Sequence, residues 1–401
     1  MKNKSLVFAI VAALAASTVA RADNSSVTLY GKLDADFESV SAKGSASGVG
    51  DQPSRNRVTQ NSSNIGFRGS EDLGGGLKAI FQIEQGVSLD TGTASTSTGT
   101  FATRNSNIGL AGGWGTLFFG NWDTPYKAAT GGLDPFYDTG IASVRRNVLS
   151  TPGANITSSP TGTATAAPAA AAFRRRANNS VQYWTPTAGG FSGRVAYEAN
   201  EGRSSTTGAN PTLYSVAGFY NNGPIFASIG YEKHKDFLTT TGAAFPFALG
   251  SPTASDDHAL ILAFRYSFSK TRLGAVYEKL RYSTSGAALG NNANSLEKNN
   301  YFLFVSHTEG PHIFRASYGR ANDGECTFTN GANCSTTNRG TKAYALGYGY
   351  ALSKRTELYA LYTEINNDSA AAFNFTNSGA IGTVAAGADP KGYAAGIRHS
   401  F

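Results

Sequence analysis

The chain has 401 residues, of which 47 are glycine, 19 tyrosine and 24 phenylalanine, and it carries a formal charge of +7 at pH 7. Glycine and aromatic residues in this abundance favour turns and strands, and outside the N-terminal leader no apolar run approaches the roughly 20 residues a membrane-spanning helix needs, so a helical membrane protein is excluded. The charge is modest and dispersed, which gives no reason to expect a nucleic-acid partner.

The N-terminus places Lys2 and Lys4 before an apolar run from Leu6 to Ala16, followed by Ala20-Arg21-Ala22. This is the layout of a secretory signal peptide over residues 1–22, and the run is too short for a spanning helix. Cleavage after Ala22 removes three cations, Lys2, Lys4 and Arg21, and lowers the formal charge from +7 to +4. No linker-like break divides residues 23–401, so a single domain is expected.

The first element, residues 25–40, alternates with period two. Val27, Leu29, Gly31, Leu33, Ala35 and Phe37 fall on one side, and Thr28, Tyr30, Lys32, Asp34, Asp36 and Glu38 on the other. A helix would scatter those charges, whereas a strand gathers them on one face, as expected when one face meets lipid and the other water. The pattern predicts further strands at 57–71, 77–89, 101–112, 115–122, 174–186, 191–200, 213–222, 224–235, 257–268, 272–283, 298–309, 311–320, 342–352, 356–366 and 392–401, sixteen in all. Tight, glycine-bearing links such as 73–76, 113–115, 188–190 and 222–224 alternate with eight long polar loops near 41–56, 90–100, 123–173, 201–212, 236–256, 284–297, 321–341 and 367–391. An all-β, 16-stranded antiparallel transmembrane β-barrel follows, with short periplasmic turns and long extracellular loops. An even strand number brings the termini to one rim, where the first and last strands can pair and remove the open edges. A soluble sandwich or propeller would instead bury large apolar clusters on its inward faces, but here the faces opposite the aromatics are small or charged.

Cys326 and Cys334 lie in the seventh long loop with seven residues between them. In an exported chain this spacing predicts a disulfide, and no neighbouring Cys or His supports a metal site. The chain ends on a strand carrying Tyr393, Ile397, His399 and Phe401, which reads as a C-terminal assembly signal for the barrel-assembly machinery. No GxSxG, HExxH or P-loop spacing occurs and the five histidines are dispersed, so neither an enzyme nor a cofactor is expected.

Several stretches occur in a diagnostic order: residues 26–31 (SVTLYG), 66–79 (GFRGSEDLGGGLKA), 108–110 (IGL), 120–125 (GNWDTP), 178–183 (NNSVQY) and the terminal GIRHSF. Together they span nearly the whole mature chain, which resembles a Gram-negative general porin of the betaproteobacterial type, related to the Neisseria, Bordetella and Burkholderia porins. The resemblance implies a homotrimer and a third extracellular loop folded inward to narrow a pore. This sequence departs from its relatives at Asn64 and Asn121, where arginine is frequent, and in an Ala, Thr and Pro-rich insert over residues 150–172.

Such a channel needs a polar lumen and a charged constriction rather than a nucleophile. Parity points Arg174, Arg176, Arg194, Arg398 and Lys32 inward from the wall, while the third loop offers Lys127, Asp134, Asp138, Arg145 and Arg146. An acidic loop opposite a basic wall would create a transverse field, with a net positive lining that favours anions. The expected function is passive diffusion of ions and small hydrophilic solutes across a Gram-negative outer membrane, with membrane lipid and lipopolysaccharide around the barrel. The alternative is a substrate-specific channel or an adhesin that uses the long loops.

Overall fold

The computed structural model describes residues 25–91, 101–153, 172–199, 203, 205, 208–239, 246–376 and 380–401; the predicted signal peptide and most of the 150–172 insert lie outside them. Strand β1, Ser26–Lys43, shows why a barrel forms. Its Asp34, Asp36 and Glu38 are buried, while Leu29 and Phe37 on the opposite face are 52% and 56% exposed. That is the inverse of a soluble fold and suits a wall with water inside and hydrocarbon outside.

The strands that follow are β2 Gln52–Gln60, β3 Asn64–Gly74, β4 Leu77–Gly86, β5 Ser106–Gly112, β6 Gly115–Asp123, β7 Arg176–Trp184 and β8 Phe191–Ala199. Next come β9 Thr212–Asn222, β10 Ile225–Lys235, β11 Ala254–Phe268, β12 Thr271–Ser285, β13 Ala293–Glu309 and β14 His312–Ala321. The last are β15 Glu325–Phe328, β16 Thr341–Ala351, β17 Thr356–Asn367 and β18 Asp389–Ser400. Among the described residues these eighteen segments make sixteen barrel staves. β2 and β3 are two halves of one stave, both paired with β1, and β15 is a side strand on the loop end of β13. The disulfide between Cys326 and Cys334 closes the small hairpin at β15.

The predicted strands recur with ends shifted by a few residues; β15 is an extra strand within the predicted 321–341 loop, and the other difference in kind is the break in the second stave. There Ser62 adopts a left-handed backbone with φ of 55°. Ser63 both accepts from the Asp34 N–H at 2.9 Å and donates to the Asp34 carbonyl at 3.0 Å, replacing the ladder with side-chain bonds. The barrel closes through β1 and β18, in register from Lys32↔Ser400 to Lys43↔Asp389. Reciprocal 3.1 Å backbone bonds between Gly31 and Phe401 complete the seam, so the last residue of the chain belongs to the wall.

The connection between β6 and β7 turns inward. Thr124 caps the short helix Pro125–Ala129, accepting from the Lys127 N–H at 3.3 Å, with proline at the position where a missing N–H costs nothing. A second short helix, Val144–Val148, is buried throughout. Tyr126, Leu133, Ile141, Val144 and Val148 are almost wholly hidden, so much of the apolar core is the contact between this loop and the inner wall.

Candidate functional site: the loop inside the barrel

Inward-facing glycines on the wall act as sockets for the loop. A Cβ at Gly319 would lie 2.7 Å from Val144, one at Gly347 2.5 Å from Phe136, and one at Gly392 2.8 Å from Ile141. Any larger residue would hold the loop off the wall. Polar bonds complete the seating. Buried Glu278 on β12 accepts from the Tyr126 hydroxyl at 2.6 Å, from the N–H and hydroxyl of Ser150 at 2.7 and 2.8 Å, and from Asn300 at 2.8 Å. Four donors on one carboxylate satisfy a charge that would be costly to bury bare.

At the loop tip Tyr137 and Asp138 both take positive φ, 61° each, a strained conformation for non-glycine residues. Tyr137 is held there by three wall groups. Its hydroxyl donates to Glu357 at 3.1 Å and accepts from Arg315 at 2.9 Å, and the Arg398 guanidinium lies 3.8 Å from its ring centre. Asp138 binds Arg145, at 2.6 Å, and Arg174. Burial opposes ionisation of Asp138, but Arg145, Arg174 and Arg146 outweigh it and hold the carboxyl well below the usual carboxylate range. Asp134 behaves oppositely: burial, reinforced by the charge of Asp138, pushes it up to about 6. Burial likewise pushes the Lys127 ammonium down to about 7, against the pull of Asp123.

The residues singled out from sequence fall into two groups. Lys127 pairs with Asp123 at 2.6 Å, Arg176 with Asp123 at 3.1 Å, and Arg398 with Asp34 at 2.6 Å, while Lys32 lies 3.6 Å from Asp34 and donates to the Asn61 carbonyl. Asp134 accepts from Ser143 and from the Phe136 N–H, and Arg146 donates to the Asp138 carbonyl at 3.2 Å. Arg194 stands apart, with its guanidinium 4.0 Å from the Trp184 ring centre and no carboxylate partner among the described residues. The expected division into acidic loop and basic wall does not hold. Wall carboxylates Asp34, Glu38 and Glu357 engage cations, and Asp138 shares one loop cation and one cation from the start of the β7 stave. Parity assigned each side chain to a face but could not say which opposite charges would meet.

Sequence reasoning also missed Arg57 and Arg104, which pair with Glu38 at 2.7 Å and Glu84 at 2.5 Å. Arg104 belongs near the position of Asn121, whose amide donates to its carbonyl at 3.1 Å. Three further lumen arginines were missed: Arg68, Arg265 and Arg272. Arg68 lies over Tyr30 at 5.2 Å, Arg265 over Phe226 at 5.1 Å, and Arg272 donates to the Ser306 hydroxyl at 3.4 Å. Like Arg194, none has a carboxylate partner among the described residues, and Arg194, Arg265 and Arg272 all lie towards the short-turn end of the barrel. For Arg68, Arg265 and Arg272 the signal available was inward parity against the exposed Phe67, Phe264 and Leu273.

Comparison with known proteins decides the family, because the Gram-negative porin profile matches residues 9–370. The chain belongs to the Gram-negative porin family. The porin is 30% identical over 407 residues to outer membrane porin protein 32 of Delftia acidovorans, with both chains covered in full. It is 33% identical over 226 residues to the major outer membrane protein P.IB of Neisseria gonorrhoeae, covering 56% of this chain and 55% of that one. Among solved structures it resembles an anion-selective porin from Comamonas acidovorans, with a TM-score of 0.73, 27% identity and coverage of 94% of this chain and 100% of that one. The porin is therefore an outer-membrane channel protein whose closed barrel encloses a polar lumen narrowed by its own third loop.

Proposed function

We propose that the porin conducts small anions in preference to cations, and that the sign of this preference is set by Arg68, Arg194, Arg265 and Arg272. The observation that carries the reading is the absence of carboxylate partners for these four among the described residues, while Arg145, Arg174, Arg176 and Arg398 each meet a carboxylate. An aromatic face fixes a guanidinium in place through its quadrupole yet carries no net charge, so the cation's field remains available to a passing ion. A paired guanidinium spends that field on its partner. The anion selectivity named for the Comamonas acidovorans structure agrees with this reading. The test is the reversal potential across a planar bilayer under a potassium chloride gradient: a sign favouring chloride supports the proposal, and a cation-favouring sign overturns it.

The assembly we propose is a homotrimer that meets through the outer face of β1–β6. Tyr30 is the only tyrosine on those strands, and it points inward to bond Glu84 at 3.0 Å. The outer face there presents Leu29, Phe37, Phe67, Ile83, Ile108 and Phe119 instead. Elsewhere outward tyrosines such as Tyr197, Tyr231, Tyr301, Tyr318 and Tyr393 mark the headgroup level. A face that lacks them suits a protein neighbour rather than lipid. Phe37→Arg with Phe67→Arg should convert trimers to monomers in native mass spectrometry, and unchanged trimers would refute this contact.

A further inference from the structure

The lipid-facing surface between β11 and β16 carries a polar hollow stacked on an apolar groove. The hollow, about 490 Å³, lies at the long-loop end and includes Lys279, Asn299, Arg320, Asn322 and Lys342. The groove, about 750 Å³, runs along the outer wall past Phe264, Ala275, Tyr301, Leu303 and Tyr318. Arg320 and Asn322 line both, so the two spaces are continuous. Register explains the groove. Ala275 lies opposite Phe264 on one neighbouring strand and Leu303 on the other, a small side chain flanked by two large ones.

The cations of the hollow sit one step beyond the tyrosine level. Lys279 follows Tyr277 on the outer face of β12, Arg320 follows Tyr318 on β14, and Lys342 precedes Tyr344 on β16. Arg320 and Lys342 are direct register partners, two like charges face to face. Neither has an ion-pair or hydrogen-bond partner among the described residues, an arrangement that calls for an anion between them. Two of the four acids that line the hollow are already engaged: Glu297 by Lys279 at 2.9 Å and Arg281 at 3.2 Å, and Asp323 by the N–H groups of Asn338 and Gly340 at 3.2 and 2.7 Å. Glu325, Asp368 and Asn299 also line the hollow and offer acceptors for sugar hydroxyls.

We infer that this surface is a binding site for a phosphorylated sugar lipid of the outer leaflet, with phosphate between Arg320 and Lys342, sugar in the hollow and one acyl chain along the groove over Ala275. Position and chemistry agree at each level: charge beyond the tyrosines, amphipathic rings at the interface, apolar groove below. The inference rests on the membrane orientation of the porin reading but not on its ion selectivity.

The test is native mass spectrometry of the intact porin titrated with diphosphoryl lipid A, its dephosphorylated form, and phosphatidylethanolamine. Retention of diphosphoryl lipid A about tenfold stronger than of the dephosphorylated form is expected, falling by a similar factor in Arg320→Ala with Lys342→Ala. Ala275→Trp should weaken both forms of lipid A by filling the groove. Addition of inorganic phosphate should leave the lipid bound, and displacement by it would mean that the cations serve free phosphate and overturn the lipid assignment. Equal retention of all three lipids, or no loss in the variants, also refutes the site. Bilayer conductance of each variant checks the barrel: channels that conduct but bind no lipid reject this inference alone, and absence of conductance in the unmodified protein rejects the porin reading.

Discussion

Two groups of lumen charges sit on the same barrel and are built in opposite ways. Around the inserted loop, cations and carboxylates meet directly: Arg145 and Arg174 on Asp138, Arg315 on Glu357, Arg398 on Asp34. On the wall, Arg194 and Arg265 rest on aromatic rings, and Arg272 meets only a hydroxyl. The first arrangement fixes shape, because each pair that joins loop to wall sets the bore while nearly cancelling its own far field. The second preserves charge, because rings and hydroxyls orient a guanidinium without neutralising it. On the proposed reading, bore is set mainly by the paired charges around the loop and the sign of selectivity mainly by the unpaired arginines.

The sharpest way to break this division is Arg194→Glu with Arg265→Glu. Four units of charge change in the uncompensated group, and the anion-to-cation permeability ratio should fall on the order of tenfold, inverting the reversal potential. Conductance of the open channel should change far less, since the loop is untouched. The complementary experiment is Gly319→Leu, which drives a side chain into the space of Val144 and Val148. It should release the loop from the wall, raise single-channel conductance and cost about 1–3 kcal/mol of stability, measurable as a lower melting temperature. Selectivity should keep its sign.

Asp138→Asn tests the boundary between the two groups. It strips Arg145 and Arg174 of their carboxylate, so the permeability ratio should shift toward anions by roughly threefold, with noisier currents as the loop tip loosens. An unchanged ratio would mean that those arginines lie outside the ion path. The smallest effect is expected from pH. Asp134 is pushed up to about 6 and Lys127 down to about 7, so between pH 8 and pH 5 the former loses a negative charge and the latter gains a positive one. Both changes have the same sign, and acidification should raise anion preference roughly twofold. Asp134→Asn should remove the part of that change centred near pH 6.

Strand number, inward parity and closure were legible in the sequence because a two-residue period assigns every side chain to lipid or water by local rules alone. The alternation in β1 already separated Leu29 and Phe37 from Asp34 and Glu38, whereas the inward fold of the 123–173 loop was expected only from the resemblance to the porin family. The break at Ser62 was not legible, because it depends on a serine reaching back to the neighbouring strand at Asp34. Nor was the pairing of charges. Asp34 and Arg398 are 364 positions apart and meet only once the barrel closes.

What the sequence determined by itself is a wall: sixteen amphipathic segments, the side each residue faces, and which rim carries the loops. What the tertiary structure decided is which charges remain free. Arg174 and Arg194 read alike as inward arginines, yet one folds against Asp138 and the other against Trp184. The physical reason is that parity is a property of one strand, whereas neutralisation depends on distance between strands and loop, which only the closed barrel sets.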